Sequence, residues 1–229
     1  MTVPDMSKPG VWRELFPHAL KLMAHLEEEV NQPLWTSGGG TVLMLRLGHR
    51  QSKDIDLFVP DPQYLGYVSP RLSDVAEEVS TDYEENAEFI KFYLPDGEID
   101  IVVGAALTEQ SFDIVHYAGR EIKVETCAEI IAKKMWHWGD QAKARNLFDL
   151  CAVADADPAA IKQAGPFFVR HGAAFLQRLQ DRANMTQDEF EAIDILGFDR
   201  SYEDCLEQAK GIVKPILERS IRALRSHPD

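Results

Sequence analysis

Residues 38–59 read GGGTVLMLRLGHRQSKDIDLFV, and their order decides the fold. A glycine turn opens the stretch, the apolar run at residues 41–47 reads as a short helix, and residues 55–59 read as a strand. Gly39 and Gly40 let the backbone turn sharply and come close to a ligand. A helix beginning near Thr41 presents its free N–H groups on the same side, which favours a phosphate. Twelve residues separate Thr41 from Asp54, enough for the helix to return the chain to the strand. Strand side chains alternate faces. Asp54 and Asp56 therefore point one way, while Ile55 and Leu57 point into the core.

Two adjacent carboxylates resist joint ionisation unless a cation lies between them. A hard divalent ion, Mg²⁺ or Mn²⁺, takes oxygen ligands and bridges to phosphates. A third carboxylate is expected from a neighbouring strand. Pro95-Asp96-Gly97 marks a hairpin turn between strands at residues 89–94 and 98–103. In the second strand Ile99, Ile101 and Val103 share one face and Glu98, Asp100 and Val102 the other, so Asp100 is free to join Asp54 and Asp56. Three carboxylates can hold two metal ions about 4 Å apart, which clamp the reacting oxygens of an in-line displacement. Arg46, His49, Arg50 and Lys53, with Ser52, stand just before the strand and offer further phosphate contacts. His49 and Arg50 also fit a bland reading, as the exposed C-terminus of a helix.

The rest of the chain supports an α+β fold. Residues 11–31 form an amphipathic helix, which Pro17 either splits or opens. A helix is expected at residues 71–80, and strands at 112–116 and 121–124. From Thr126 onward the pattern turns helical. Thr126-x-x-Glu129 is a capping box that opens a helix running to about Trp138. Further helices are expected at residues 143–154, 167–183, 186–196 and 201–226, with a second capping box at Thr186-x-x-Glu189 and a kink or break at Pro215. The layout is thus a mixed sheet flanked by helices over residues 1–125 and a helical part over residues 126–229 that completes the cleft. No flexible linker divides them.

Composition narrows the function. The formal net charge is −14, which disfavours an all-over nucleic-acid binder, because phosphate contacts dominate that affinity. Basic residues do cluster, at Lys133, Lys134, Lys143 and Arg145, and along Lys214, Arg219, Arg222 and Arg225. A basic cleft on an acidic body is compatible with this. The 3 cysteines are widely spaced, so neither a disulfide framework nor a zinc site is expected. The first residues lack a basic-then-apolar order and no run suits a membrane span. The expectation is a cytoplasmic protein with no membrane partner.

The stretch at residues 38–59 resembles the first motifs of the AbiEii/AbiGii-type nucleotidyltransferases, including the MenT-like toxins, which in turn resemble the minimal polymerase-β superfamily. Their later pattern, a helical lysine and then Arg-Asp-x-x-Asp-Leu, is similar to AEIIAKKMWHWGDQAKARNLFDL here. Lys134 falls on the family lysine and Asp149 on the final aspartate, while Asn146 replaces the first aspartate. The resemblance covers roughly residues 35–150. It implies transfer of a nucleotidyl group from a nucleoside triphosphate to an acceptor, with tRNA or another RNA as acceptor and an antitoxin as partner. It implies that Asp54, Asp56 and Asp100 hold Mg²⁺ or Mn²⁺, Asp100 binding the catalytic ion or acting as base. Gly39, Gly40, Thr41, Ser52 and Arg50 then bind the nucleotide. Lys134 meets the triphosphate, and Asp149 orients Lys134 or the nucleobase. Helix geometry alone offers plainer roles: a snorkelling Lys134, an Asp149–Arg145 pair one turn apart, and core positions for Trp136 and Trp138 in place of a base-stacking platform. Two other functions stay open, a transferase acting on a small cationic acceptor and a silent triphosphate-binding module.

Overall fold

The computed structural model describes residues 2–226, and the side chains from residue 224 onward, Arg225 among them, lie outside the described part. In chain order the first elements are α1 (Trp12–Glu29), β1 (Thr36–Gly38), α2 (Gly39–Leu47), β2 (Ile55–Val59), the short turns α3 (Tyr64–Tyr67) and α4 (Asp74–Glu77), β3 (Tyr83–Glu85), β4 (Phe89–Leu94), β5 (Gly97–Val103), β6 (Phe112–Tyr117) and β7 (Arg120–Glu125). Helices follow: α5 (Cys127–Trp138), α6 (Ala144–Ala156), α7 (Pro158–Ala164), α8 (Gly172–Asp181), α9 (Ala183–Glu191) and α10 (Tyr202–Ser226).

The strands form one mixed sheet in the order β3-β4-β5-β2-β1-β7-β6. β2 runs parallel to β5 and β1 parallel to β7, while the other neighbours are antiparallel. Ile55, Leu57, Ile99 and Ile101 are each at most 2% exposed, and they bury the face away from the aspartates as strand alternation requires. α1 covers part of this core with Trp12, Leu15, Phe16, Leu22 and Met23. Among the described residues no helix is long and apolar enough to cross a membrane.

Several elements depart from the sequence expectations. α2 begins at Gly39, two residues before Thr41, because Gly39 has φ +72° and turns the chain straight into the helix. It stops at Gly48, whose left-handed φ of 63° lets its N–H reach Met44. β1 is a central strand of three residues in a stretch read only as an approach to the glycines. Its Thr-Ser-Gly sequence carries little strand signal.

The helix expected at residues 71–80 shrinks to the four-residue α4, capped by Ser73. Thr126 does cap α5 by accepting from the Glu129 N–H. Glu129 does not close the box, because its carboxylate is taken by Leu107 and Thr108. The second capping box is absent: Thr186 lies inside α9, which starts at Ala183. In place of a helix over residues 167–183, a 3-10 turn at Gly165–Phe168 precedes α8. α7 was not foreseen, although Asp157 and Pro158 give it a cap and a first turn. Pro17 and Pro215 lie inside α1 and α10 without splitting them. Each removes one backbone hydrogen bond, and buried neighbours such as Phe16 and Val213 hold the helices together.

Candidate active site

The sheet register builds the centre of the site. Asp56 on β2 pairs with Asp100 on β5, one strand over, so the two carboxylates rise side by side. Lys91 on β4 pairs with Asp100 from the other side. Its ammonium lies 3.3 Å from Asp100 and 2.6 Å from Glu98. Asp54 stands just before β2, where its Oδ1 accepts from the Glu98 N–H at 3.1 Å. The Thr41 hydroxyl donates to the Asp54 carbonyl at 2.6 Å and lies 3.2 Å from Ser52 Oγ. Thr41 is buried and shapes the cleft from behind.

Gly39 and Gly40, at the first turn of α2, form one wall of a cleft of about 270 Å³. Arg50, Ser52, Asp54, Asp56, Lys91 and Asp100 also line it. Lys134 and Trp138 from α5, with Lys143, Arg145 and Asn146, form the opposite wall. The long strand-to-helix path therefore brings both halves of the sequence to one cleft.

Beneath the cleft lies a buried charge hub. Asp149 is 0% exposed. It receives two bonds from the Arg50 guanidinium, at 2.6 and 2.9 Å, and one contact of 2.8 Å from His49 Nε2. Lys134 stands 3.1 Å away and also donates to Asn146 Oδ1 at 3.1 Å. Burial would raise the Asp149 carboxyl, yet Arg50 and Lys134 outweigh it and hold the group well below the usual carboxylate range. Burial lowers the Lys134 ammonium, against the pull of Asp149. This settles the helix-geometry alternative for Asp149. Its partners are Arg50, His49 and Lys134, while Arg145 turns to the cleft. His49 and Arg50 are buried rather than an exposed helix end.

Other predicted contacts fall elsewhere. Arg46 is spent on structure, donating to the carbonyls of Val124 and Glu125 and to Asp113. Trp136 packs edge-on against Phe167 with Arg170 over its face, leaving Trp138 as the tryptophan in the cleft.

A family model described as the nucleotidyl transferase AbiEii toxin of a type IV toxin–antitoxin system matches residues 21–220. The chain belongs to the AbiEii nucleotidyltransferase family. The sequence matches no curated protein. Among solved structures it is similar to a candidate nucleotidyltransferase of H. pylori, at 16% identity and TM-score 0.49 over 92% of this chain and 97% of the other. It is also similar to the antibiotic-resistance factor ANT(2″)-Ia, at 18% identity and TM-score 0.48 over 76% and 97%.

In this AbiEii-family enzyme two of the cleft carboxyls are pushed up by burial and by neighbouring carboxylates. Burial and the neighbouring Asp54 push Asp56 up to about 6, against the opposing charge of Lys134. Burial and Asp56 push Asp100 up to about 6, with Lys91 opposing. Asp100 Oδ1 is buried without a hydrogen-bond partner. Among the described residues no group of three or more His, Cys, Asp or Glu is placed to hold a metal ion. Asp56 and Asp100 still offer the carboxylate oxygens that a hard divalent ion takes, with Asp100 Oδ1 left without a partner.

The pH consequence has a definite sign. A carboxyl at about 6 in the fold, raised from 3.8, makes no difference to stability below the unfolded value and costs stability as pH rises toward 6 and beyond. Asp56→Asn removes that cost. Without divalent ions, its melting temperature should exceed that of the wild type at about pH 7.5, and the gain should shrink near pH 4.5. An equal gain at both would refute the strained-carboxylate picture.

Gly39 supplies a second prediction. A Cβ there would collide with the Asp56 carboxylate, and φ +72° disfavours any L side chain. Gly39→Ala should displace Asp56 and lower transfer by roughly 100-fold, read by initial rates at saturating nucleotide. A rate near wild type would show that the close approach is dispensable.

The sequence did not reveal Lys91 or Glu125 as parts of the site. Glu125 is buried against Lys133 at 2.5 Å and accepts from Thr36, with its Oε2 unpartnered. Lys133 also stacks over Phe58 at 3.7 Å. Alternation along β4 placed Lys91 on the face of Asp100 once the hairpin was assigned, and that signal could have found it.

Proposed function

We propose that this enzyme moves a nucleotidyl group from a metal-bound nucleoside triphosphate to a hydroxyl of an RNA, with tRNA as the leading acceptor. The observation that carries this reading is the in-register pair Asp56 and Asp100 at the foot of a helix that starts on glycines. The free N–H groups of that helix start attract phosphate. Asp56 and Asp100, with Asp54, would hold Mg²⁺ or Mn²⁺. When bound, the ion neutralises phosphate charge and favours the leaving pyrophosphate.

The protein groups do the rest. Ser52 and Arg50 offer donors to phosphate oxygens, and Lys134 offsets charge on the leaving group. Asp149 fixes Lys134 and Arg50 in place, so it is a positioning residue. Trp138 gives the nucleobase an aromatic face. Asp100 takes the proton from the acceptor hydroxyl. The hydroxyl oxygen then bonds to the α-phosphorus as the bond from that phosphorus to the bridging oxygen breaks, and pyrophosphate departs. Asn146 keeps Lys134 hydrogen-bonded where the family has an aspartate, with one negative charge fewer.

The family description supports a cognate antitoxin. A triphosphate donor and an RNA acceptor support a cytoplasmic site of action. The net charge of −14 favours a second reading, a small cationic acceptor. Periodate-treated tRNA separates the two, because it has lost its terminal ribose hydroxyls. Under the RNA reading, label from an α-labelled triphosphate should reach intact tRNA and not treated tRNA. Label on an aminoglycoside, with none on tRNA, would establish the second reading instead.

A further inference from the structure

A second cavity, of about 280 Å³, adjoins the cleft. Lys143 lines both. Arg178, in the last turn of α8, and Arg182, between α8 and α9, complete a cationic wall in which Glu189 is the one acid. Among the described residues neither arginine nor Lys143 joins an ion pair. In a chain of net charge −14, these three cations converge on one hollow that a single acid, Glu189, lines with them. Burial and the charges of Arg145, Lys134 and Lys91 depress the Lys143 ammonium, with Glu189 opposing weakly. Lys91 is the partner of Asp100. Positive charge therefore runs from beside Asp100, through Lys143, into the second cavity. Met185 adds an exposed apolar contact to the same hollow.

We propose that this second cavity holds the phosphodiester backbone of a single-stranded acceptor RNA, upstream of the hydroxyl that reaches Asp100. The proposal rests on the RNA-acceptor reading above. It gives the acceptor a seat separate from that of the triphosphate, which keeps the cleft itself.

The test compares wild type with Arg178→Gln/Arg182→Gln. Both side chains are exposed, so folding should be unaffected and is checked by the melting temperature. The probe is a fluorescent single-stranded RNA oligonucleotide, titrated by anisotropy at several salt concentrations. Triphosphate binding is measured beside it by calorimetry. Removing two phosphate contacts should weaken RNA binding by about tenfold and make the slope of log affinity against log salt shallower by about 1.4. Triphosphate affinity should not change. Equal RNA affinity and slope in both proteins would overturn the cavity assignment while leaving RNA as acceptor. Loss of triphosphate binding instead would assign the arginines to the nucleotide. A wild type that neither binds nor labels RNA would remove both this proposal and the acceptor reading beneath it.

Discussion

Asp56→Ala should lower nucleotidyl transfer by about 1000-fold or more while the protein melts no lower than wild type near neutral pH. The two halves of that result belong together. Asp56 is paired in register with Asp100 and pressed against Gly39. Burial raises its carboxyl to about 6, so the ionised form costs stability in the absence of a cation. Removing it relieves repulsion and removes the function at once, the pattern expected of a group kept for chemistry. A large activity loss accompanied by a lower melting temperature would mean that Asp56 holds the fold instead. Initial rates and thermal unfolding on one preparation decide the matter.

Asp149→Ala should do the opposite to stability. It would leave the Arg50 guanidinium and the Lys134 ammonium facing each other across a buried gap, both having lost their shared anion. Breaking a buried charge pair by removing one partner costs about 3–5 kcal/mol, which corresponds to roughly 10 °C in melting temperature for a chain of this size. Transfer should fall as well, because Lys134 and Arg50 lose their fixed positions. Asp149→Asn keeps the shape and an acceptor oxygen, so it should recover part of the stability. An alanine variant that melts with the wild type would show that the hub is not structural.

The sequence carried the cleft's acidic residues and the basic residues Arg50, Lys134, Lys143 and Arg145, but not the pairing of Asp149 with Arg50 and His49, and the reason is distance along the chain. Asp54 and Asp56 announce themselves within two residues, and the Pro95-Asp96-Gly97 turn fixes the phase that aims Asp100 at them. Local pattern suffices there. The Asp149 hub joins residues 99 and 100 positions apart. Nothing local to Asp149 points to Arg50; the family resemblance pointed to Lys134, which does lie 3.1 Å away, and one-turn geometry offered Arg145 only as the plainer alternative. β1 was too short and too small in its side chains to register. The helix expected at residues 71–80 met its cap at Ser73 but ends at Glu77, and the Ser80 hydroxyl beyond it donates to the Tyr93 carbonyl of β4. α9 begins at Ala183, three residues before its apparent capping signal at Thr186, which is buried inside the helix.

The most direct measurement is incubation of the purified protein with Mg²⁺, total tRNA and each α-labelled nucleoside triphosphate in turn, beside Asp56→Ala. The expected result is label on tRNA from one or more nucleotides with matching pyrophosphate release, and none with the variant. Label on tRNA at equal rates from both proteins would contradict the site, and release of pyrophosphate with no label on any RNA would contradict the acceptor.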